Sequence, residues 1–296
     1  AWRQKNQAKM NRSTPISLTV GNWEPVGPFT HTNTGSWSSG QGRVNIVHVD
    51  PSNANTIYLG APAGGIWKST NNGSTWAPLT DELPQIGVSG IAVDYADSNV
   101  IYITTGDKDA GDSYSVGVYK STDGGATWKE INSGLPKGDM GRVGLAVSPA
   151  DANVVYAIVE ARYNKGGVFR SNNKGETWSK QGSFSTSGNY YQEIICDPKD
   201  VNKVFAMDTY MHHSTDGGKN FEPTGEKNKH VDNHCIWIDP SNTNHWLVGC
   251  DGGLYETYTH AKEWSFYGNL PIIQFYKVAT DNAVPFYNIY GGTQDN

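Results

Sequence analysis

The sequence predicts an all-β fold, a β-propeller of four-stranded antiparallel blades, on three observations. An eight-residue pattern, Ser-x-(Asp/Asn)-x-Gly-x-x-(Trp/Phe), occurs four times, beginning at Ser69, Ser121, Ser171 and Ser214. The steps between copies are 52, 50 and 43 residues, the repeat length of a four-stranded blade. Between copies the chain reads as short apolar runs separated by turn residues, and 34 Gly with 14 Pro in 296 residues suit such a turn-rich protein.

Each copy is a turn with a mechanism. An Asp or Asn side chain hydrogen-bonds backbone two residues on, Gly supplies a positive φ, and an aromatic residue anchors the next strand. The residues in these roles are Ser69, Asn71, Gly73 and Trp76 in the first copy and Ser121, Asp123, Gly125 and Trp128 in the second. Ser171, Asn173, Gly175 and Trp178 fill them in the third, and Ser214, Asp216, Gly218 and Phe221 in the fourth.

Residues 1–16, poor in apolar side chains, read as an extended lead-in, and residues 17–296 as the propeller. Asn22-Trp23-Glu24-Pro25 matches Thr75-Trp76-Ala77-Pro78 and Asn220-Phe221-Glu222-Pro223, the segments that follow two of the turns. The N-terminus is therefore expected to supply the outermost strand of the last blade and close the ring. Each repeat opens with an apolar strand, a polar turn and a second apolar strand, as in Val143 to Ser148 followed by Val154-Val155-Tyr156-Ala157. Runs such as Gly90 to Asp94 are near-continuously apolar, the pattern of strands covered on both faces. A third strand precedes each turn, as in Gly65-Ile66-Trp67-Lys68 and Gly117-Val118-Tyr119-Lys120. The fifth repeat has Gly253-Leu254-Tyr255-Glu256 and Trp264 but, where the turn should be, Thr257 to Lys262 in place of the motif. A sixth repeat begins at Phe275, so the expectation is five complete blades and a partial one, the amino-terminal part of a longer chain.

A net charge of −6 without long runs of Lys or Arg argues against a nucleic-acid groove. No apolar run is long enough for a membrane span. Three cysteines make no disulfide framework. Pairing Trp237 with Val248 in a hairpin would nevertheless set Cys235 opposite Cys250, a candidate cross-strand disulfide against the alternative of two packed thiols, with Cys196 buried and inert.

Alternation of strand direction places the turns and the Asp-Pro corners on one face of the ring, and the more variable loops on the other. Candidate ligand groups on that loop face are Asp107, Asp109, Asp112, Tyr114, Arg162, Tyr163, Tyr210, His212, His230, Asp232 and His234, with Glu160, Asp208 and His213 beside them. Asp107, Asp109 and Asp112 surround a Gly and could offer hard oxygen ligands to Ca²⁺, although their spacing is not that of the twelve-residue calcium loop. At strand spacing His230, Asp232 and His234 would share one face, an arrangement open to a transition metal or to hydrogen bonding alone. Arg43 and Arg142, each between Gly and Val, are expected to be inward and salt-bridged.

The four turns resemble the Asp-box (BNR repeat) of sialidases, sortilin-type receptors and xyloglucan-degrading glycoside hydrolases, and the run from His234 to Asn296 resembles exported bacterial sortilin-like propellers. That resemblance implies a secreted or cell-surface protein, of the kind that includes type IX secretion cargo, with ligands on the loop face and protein or polysaccharide as partner. The xyloglucanase kind implies a carboxylate in an Asp-x-Gly-Gly turn of the first blade, where this chain has Pro62, Ala63, Gly64 and Gly65. Asp251 and Asp295 hold related positions in the fifth and sixth repeats and are the candidate catalytic carboxylates. The departure at Pro62 favours a non-catalytic module that binds protein or glycan through its loop face, with a polysaccharide-cleaving glycoside hydrolase as the alternative.

Overall fold

The computed structural model describes residues 43–84, 87–107, 114–187, 190–269, 275–281, 283–284 and 288–293. Within them the chain forms five consecutive four-stranded antiparallel sheets, each a meander in sequence order, arranged as a β-propeller. The first blade comprises β1 (Ile46–Val49), β2 (Ile57–Ala61), β3 (Gly65–Ser69) and β4 (Ala77–Pro78). The second comprises β5 (Val88–Val93), β6 (Ile101–Thr105), β7 (Val118–Ser121) and β8 (Lys129–Glu130). The third is β9 (Met140–Val147), β10 (Val155–Ala161), β11 (Gly167–Ser171) and β12 (Ser179–Gly182). In the fourth are β13 (Glu193–Cys196), β14 (Val204–Met207), β15 (His212–Ser214) and β16 (Glu222–Pro223). The fifth holds β17 (Asn233–Ile238), β18 (Trp246–Cys250), β19 (Gly253–Thr257) and β20 (Ser265–Phe266). A two-stranded sheet follows, β21 (Phe275–Thr280) with β22 (Ile289–Thr293), the start of the partial repeat. Trp23 and its expected closing strand lie outside the described residues, as does the lead-in.

The first strands of successive blades pack side by side, β1 on β5, β5 on β9, β9 on β13 and β13 on β17. Every residue of β5 is buried, as its apolar run predicts, because a blade covers each of its faces. In β1 and β17 burial is only partial, and Val47, Val49 and Trp237 are exposed. The outermost strands β4, β8, β16 and β20 are two residues long, which leaves little free edge to pair with another chain.

The recurrent turns fold as one geometry. In each, the Ser hydroxyl accepts the Gly amide four residues on, from Gly73, Gly125 and Gly175 at 2.8 Å and from Gly218 at 3.0 Å. The expectation for the acid or amide needs correction in its reach. Asn71, Asp123, Asn173 and Asp216 accept the amide four residues on, at 2.8 to 3.0 Å, and the two-residue reach belongs to the Ser hydroxyl. Each turn is tied to the first corner of its own blade, through Asn72 to Asn55, Gly124 to Asn99, Lys174 to Asn153 and Gly217 to Asn202. All four therefore lie on one face.

The fifth blade carries the same turn in different residues. Thr257 accepts the Ala261 amide at 3.2 Å, Thr259 accepts that of Glu263 at 2.9 Å, and His260 bonds Asn244 as its counterparts do in other blades. Hydroxyls thus replace the Ser and the acid, and Ala261 takes the Gly position at φ 65. The anchors then stitch blade to blade. Trp128 Nε1 donates to Leu79 O at 2.8 Å, Trp178 Nε1 to Ile131 O at 2.7 Å and Trp264 Nε1 to Gly225 O at 3.1 Å, each acceptor lying in the preceding blade or the connection that leaves it. Phe221 has no such donor and stacks on Phe184 at 4.2 Å instead.

The predicted cysteine pairing is corrected by register. Trp237 pairs with Leu247, not Val248, Cys235 pairs with Gly249, and a bulge at His234 sets Asn233 opposite Cys250. All three cysteines are free thiols, Cys196 being buried as expected. The whole strand pair runs one residue out from the expected register, already at Trp237, so Cys235 faces Gly249 instead of Cys250 and the disulfide does not form.

Candidate functional site

The connections from second to third strands, and from one blade to the next, share the face opposite the turns. On it, the segment between β16 and β17 is held by a buried polar knot. Lys229, 7% exposed, donates to Glu226 Oε1 at 2.9 Å, to His230 O at 2.8 Å and to Asn233 Oδ1, which uses all three ammonium protons. Asn233, fully buried, returns a bond to Glu226 at 2.7 Å and reaches Asp208 O and Thr209 O at 3.2 Å. The Tyr255 and Trp264 rings lie 5.8 and 5.4 Å from the ammonium. The knot fixes the residues that follow it.

Of the two arrangements open to His230, Asp232 and His234, the structure shows hydrogen bonding and not one shared face. Asp232 sits at φ 61 before the strand begins, and the bulge at His234 breaks the alternation that would have aligned it with His230 and Asp232. His230 Nδ1 turns to Val231 O at 2.9 Å, and Asp232 Oδ1 accepts the Tyr191 hydroxyl at 2.8 Å. Among the described residues no group of three or more His, Cys, Asp or Glu side chains could hold a metal ion.

What the structure brings together is Tyr191, Asp232, His234 and Asp251. Asp251 lies in the turn between β18 and β19, and its amide donates to Asp232 O at 3.2 Å. Its carboxylate, a candidate for capping its own turn, instead meets His234 across the strand pair, with Oδ1 2.6 Å from Nε2. The imidazole stacks on the Tyr191 ring at 5.4 Å. Tyr191 is 7% exposed; its burial, and then its bond to Asp232, push its hydroxyl pKa well above the ordinary tyrosine value. The His234 and Asp251 side chains remain 46% and 32% exposed, so the pair opens on the loop face.

The other candidates are spread over that face. Asp107 is ion-paired with Arg43 and lies 3.5 Å from Asn45 Nδ2, so the Arg competes for the oxygens that calcium would need. Asp109, Asp112 and Asp295 lie outside the described residues. Arg162 is 3.9 Å from Asp139, and His212 Nδ1 is 2.7 Å from Tyr210 O. Tyr114, Tyr163 and Tyr210 are exposed, Tyr163 most of all at 86%, and exposed Tyr190 joins them. Arg142 is inward as expected, with Nη1 3.5 Å from Tyr191 O. His213 is not on this face: it lies within β15, beside Glu222 at 3.4 Å and His260 of the next blade. Sequence reading missed Tyr191, Glu226, Lys229 and Asn233, because polar residues in a connection carry no periodicity to mark them.

A meander of blades stitched by recurrent Ser-(Asp/Asn)-Gly turns, with a polar loop face opposite, defines a β-propeller. Comparison with known proteins narrows the class. Residues 116–251 match the family described as "Sortilin, neurotensin receptor 3". A xyloglucanase from a Paenibacillus species is 26% identical over 277 residues, 80% of this chain and 25% of that protein. One from Acetivibrio thermocellus is 29% identical over 228 residues, 68% of this chain and 27% of that protein. The crystal structure of a GH74 xyloglucanase from Xanthomonas campestris superposes with a TM-score of 0.59 at 20% identity, covering 86% of this chain and 44% of that one. The chain fits the sortilin-like and xyloglucanase-like propellers and spans about a quarter of the length of these curated relatives. The non-catalytic reading does not stand against this, since the curated relatives over most of the chain are named as xyloglucanases. Pro62 weighed too heavily in it. Pro62 speaks only for the turn of its own blade, and the corresponding turn of the fifth blade holds Asp251.

Proposed function

We propose that this chain is part of a glycoside hydrolase that cleaves a polysaccharide of the xyloglucan class, with Asp251 as one of its two carboxyl groups. The observation that carries the reading on this chain's own residues is the Asp251 carboxylate, turned away from its local backbone, a third exposed and held by His234 on the loop face. The curated relatives support the substrate class. Tyr114, Tyr163, Tyr190 and Tyr210 present rings on the same face, the amphipathic surfaces on which sugars stack. The second carboxyl group is assigned to Asp295. The proposed substrate is too large to enter a cell, which supports a location in the medium or at the cell surface, with type IX secretion the route implied by the family resemblance. Among the described residues no helix is long and apolar enough to cross a membrane.

The test is release of new reducing ends from xyloglucan by the purified chain, alongside other β-glucans. Asp251→Asn is expected to lower kcat by about 10²- to 10⁴-fold, the usual contribution of a positioned acid or base. Hydrolysis by the variant at the wild-type rate, or none by the wild type, refutes the reading.

A further inference from the structure

The contact between His234 and Asp251 decides more than position. At 2.6 Å the two atoms share one hydrogen bond, which occupies Oδ1. Oδ2 takes no hydrogen bond among the described residues, and it belongs to a side chain that is a third exposed. His234 is in turn steadied from outside the pair. Its ring lies against Tyr191, the Tyr191 hydroxyl is fastened to Asp232, and the Asp232 carbonyl holds the Asp251 amide. Behind this loop of contacts stands Asn233, buried and tied to Lys229 and Glu226. The Asp251 carboxyl therefore has one oxygen pinned and one presented.

Resting on the glycosidase reading above, we infer that His234 is a positioning residue that fixes Asp251 as the proton-accepting carboxylate of the pair, leaving the acid role to the second carboxyl group. With His234 in the tautomer that carries its proton on Nε2, Oδ1 accepts that N–H, and a carboxylate held this way offers its other oxygen as an acceptor too. In the step so assigned, Oδ2 takes a proton from water as that O–H bond breaks. The water oxygen bonds to the anomeric carbon, and the glycosidic C–O bond breaks with its electron pair on the departing oxygen. That oxygen is protonated by the second carboxyl group, so the protons balance. Tyr191 is a positioning residue one contact further back.

The test compares His234→Ala, His234→Gln and Asp251→Ala in the full chain. His234→Ala is expected to lower kcat about 100-fold, the scale of a misplaced reacting group, with KM held within about twofold. His234→Gln, whose amide can donate from near the same place, regains most of the loss. In ¹⁵N NMR of histidine-labelled protein, the His234 Nε2 resonance moves when Asp251 becomes Ala. An unmoved resonance overturns the inference, and so does a His234→Ala enzyme with wild-type kcat while Asp251→Asn is inactive. Gln no better than Ala overturns it as well. A wild-type chain that releases no sugar yet shows the NMR shift fails differently: the glycosidase reading and the base assignment fall, and the His234–Asp251 pair stands.

Discussion

Trp178 offers a direct test of how the blades are held together. The side chain is 5% exposed and packs with Val118, Ile131, Leu135 and Phe169 in one core cluster, while its indole N–H bonds Ile131 O of the preceding blade at 2.7 Å. The backbone is as confined, since a Cβ on Gly134 would fall 2.0 Å from Trp178 O. Trp178→Ala removes the burial and is expected to cost about 3–5 kcal/mol, the range for deleting a buried aromatic side chain. It also strips Ile131 O of its donor, which places the loss at the upper end of that range. Trp178→Phe keeps most of the burial and forfeits the hydrogen bond, a loss of about 1–3 kcal/mol. For a domain of this size each kcal/mol lowers Tm by roughly 2–4 °C, so the Ala variant should melt about 6–20 °C below the wild type. Urea unfolding followed by tryptophan fluorescence and circular dichroism gives the same quantity from the shift in midpoint at constant slope. An Ala variant within about 1 kcal/mol of the wild type, or a Phe variant as costly as Ala, would refute the stitching argument.

The remaining predictions concern charge and sulfur. Burial lowers the pKa of His48, His213 and His260 below 6.5, so their share of stability is present above pH 6.5 and is lost as pH falls below it. At His245 burial is outweighed by bonds to Glu256 and Asp239, its pKa is raised, and its share is present below 6.5 and lost as pH rises through the folded value. Melting temperature should therefore drop on acidification from pH 7 to 5, and His213→Gln with His260→Gln should flatten that slope; a steeper slope in the double variant would contradict the assignment. Bonds from Thr127 and then Ser121 hold Asp123 at about 2, so its charged form adds a share of stability that is present above pH 3.8 and lost as pH falls toward the folded value, and Asp123→Asn, which keeps the acceptor as Asn71 and Asn173 do elsewhere, should lower melting at pH 7 only slightly and remove that acid dependence. A clear loss would show that the charge matters and not the acceptor. Thiol titration of the unreduced, denatured protein should find three free thiols, and the native protein should shield Cys196, whose pKa burial raises. A count of one would restore the disulfide.

Local chemistry made much of the fold legible. Ser121, Asp123, Gly125 and Trp128 announce a turn because each role is filled by a residue type whose own geometry demands it, and spacing alone then counts the blades. The fifth turn shows where legibility stopped. Thr257, Thr259 and Ala261 perform the same hydrogen bonding, yet hydroxyls are too common in sequence to mark a turn by themselves. The His230-Asp232-His234 face failed for a related reason. Alternation holds only while a strand is regular, and neither the positive φ at Asp232 nor the bulge at His234 leaves a trace in residue type.

The sequence by itself determined the propeller, its blade length and the side on which its turns lie, because each turn is built from bonds between residues at most four apart, the spacing of the turns counts the blades, and strict alternation of strand direction sets their side. Tertiary structure alone decided that Asp251 faces His234, that Tyr191 comes from another blade to stack beside them, and that Lys229 lies buried beneath. Those contacts join residues 17 to 43 positions apart, or depend on a one-residue slip in register, and side-chain chemistry does not encode which distant partner the folded chain will deliver.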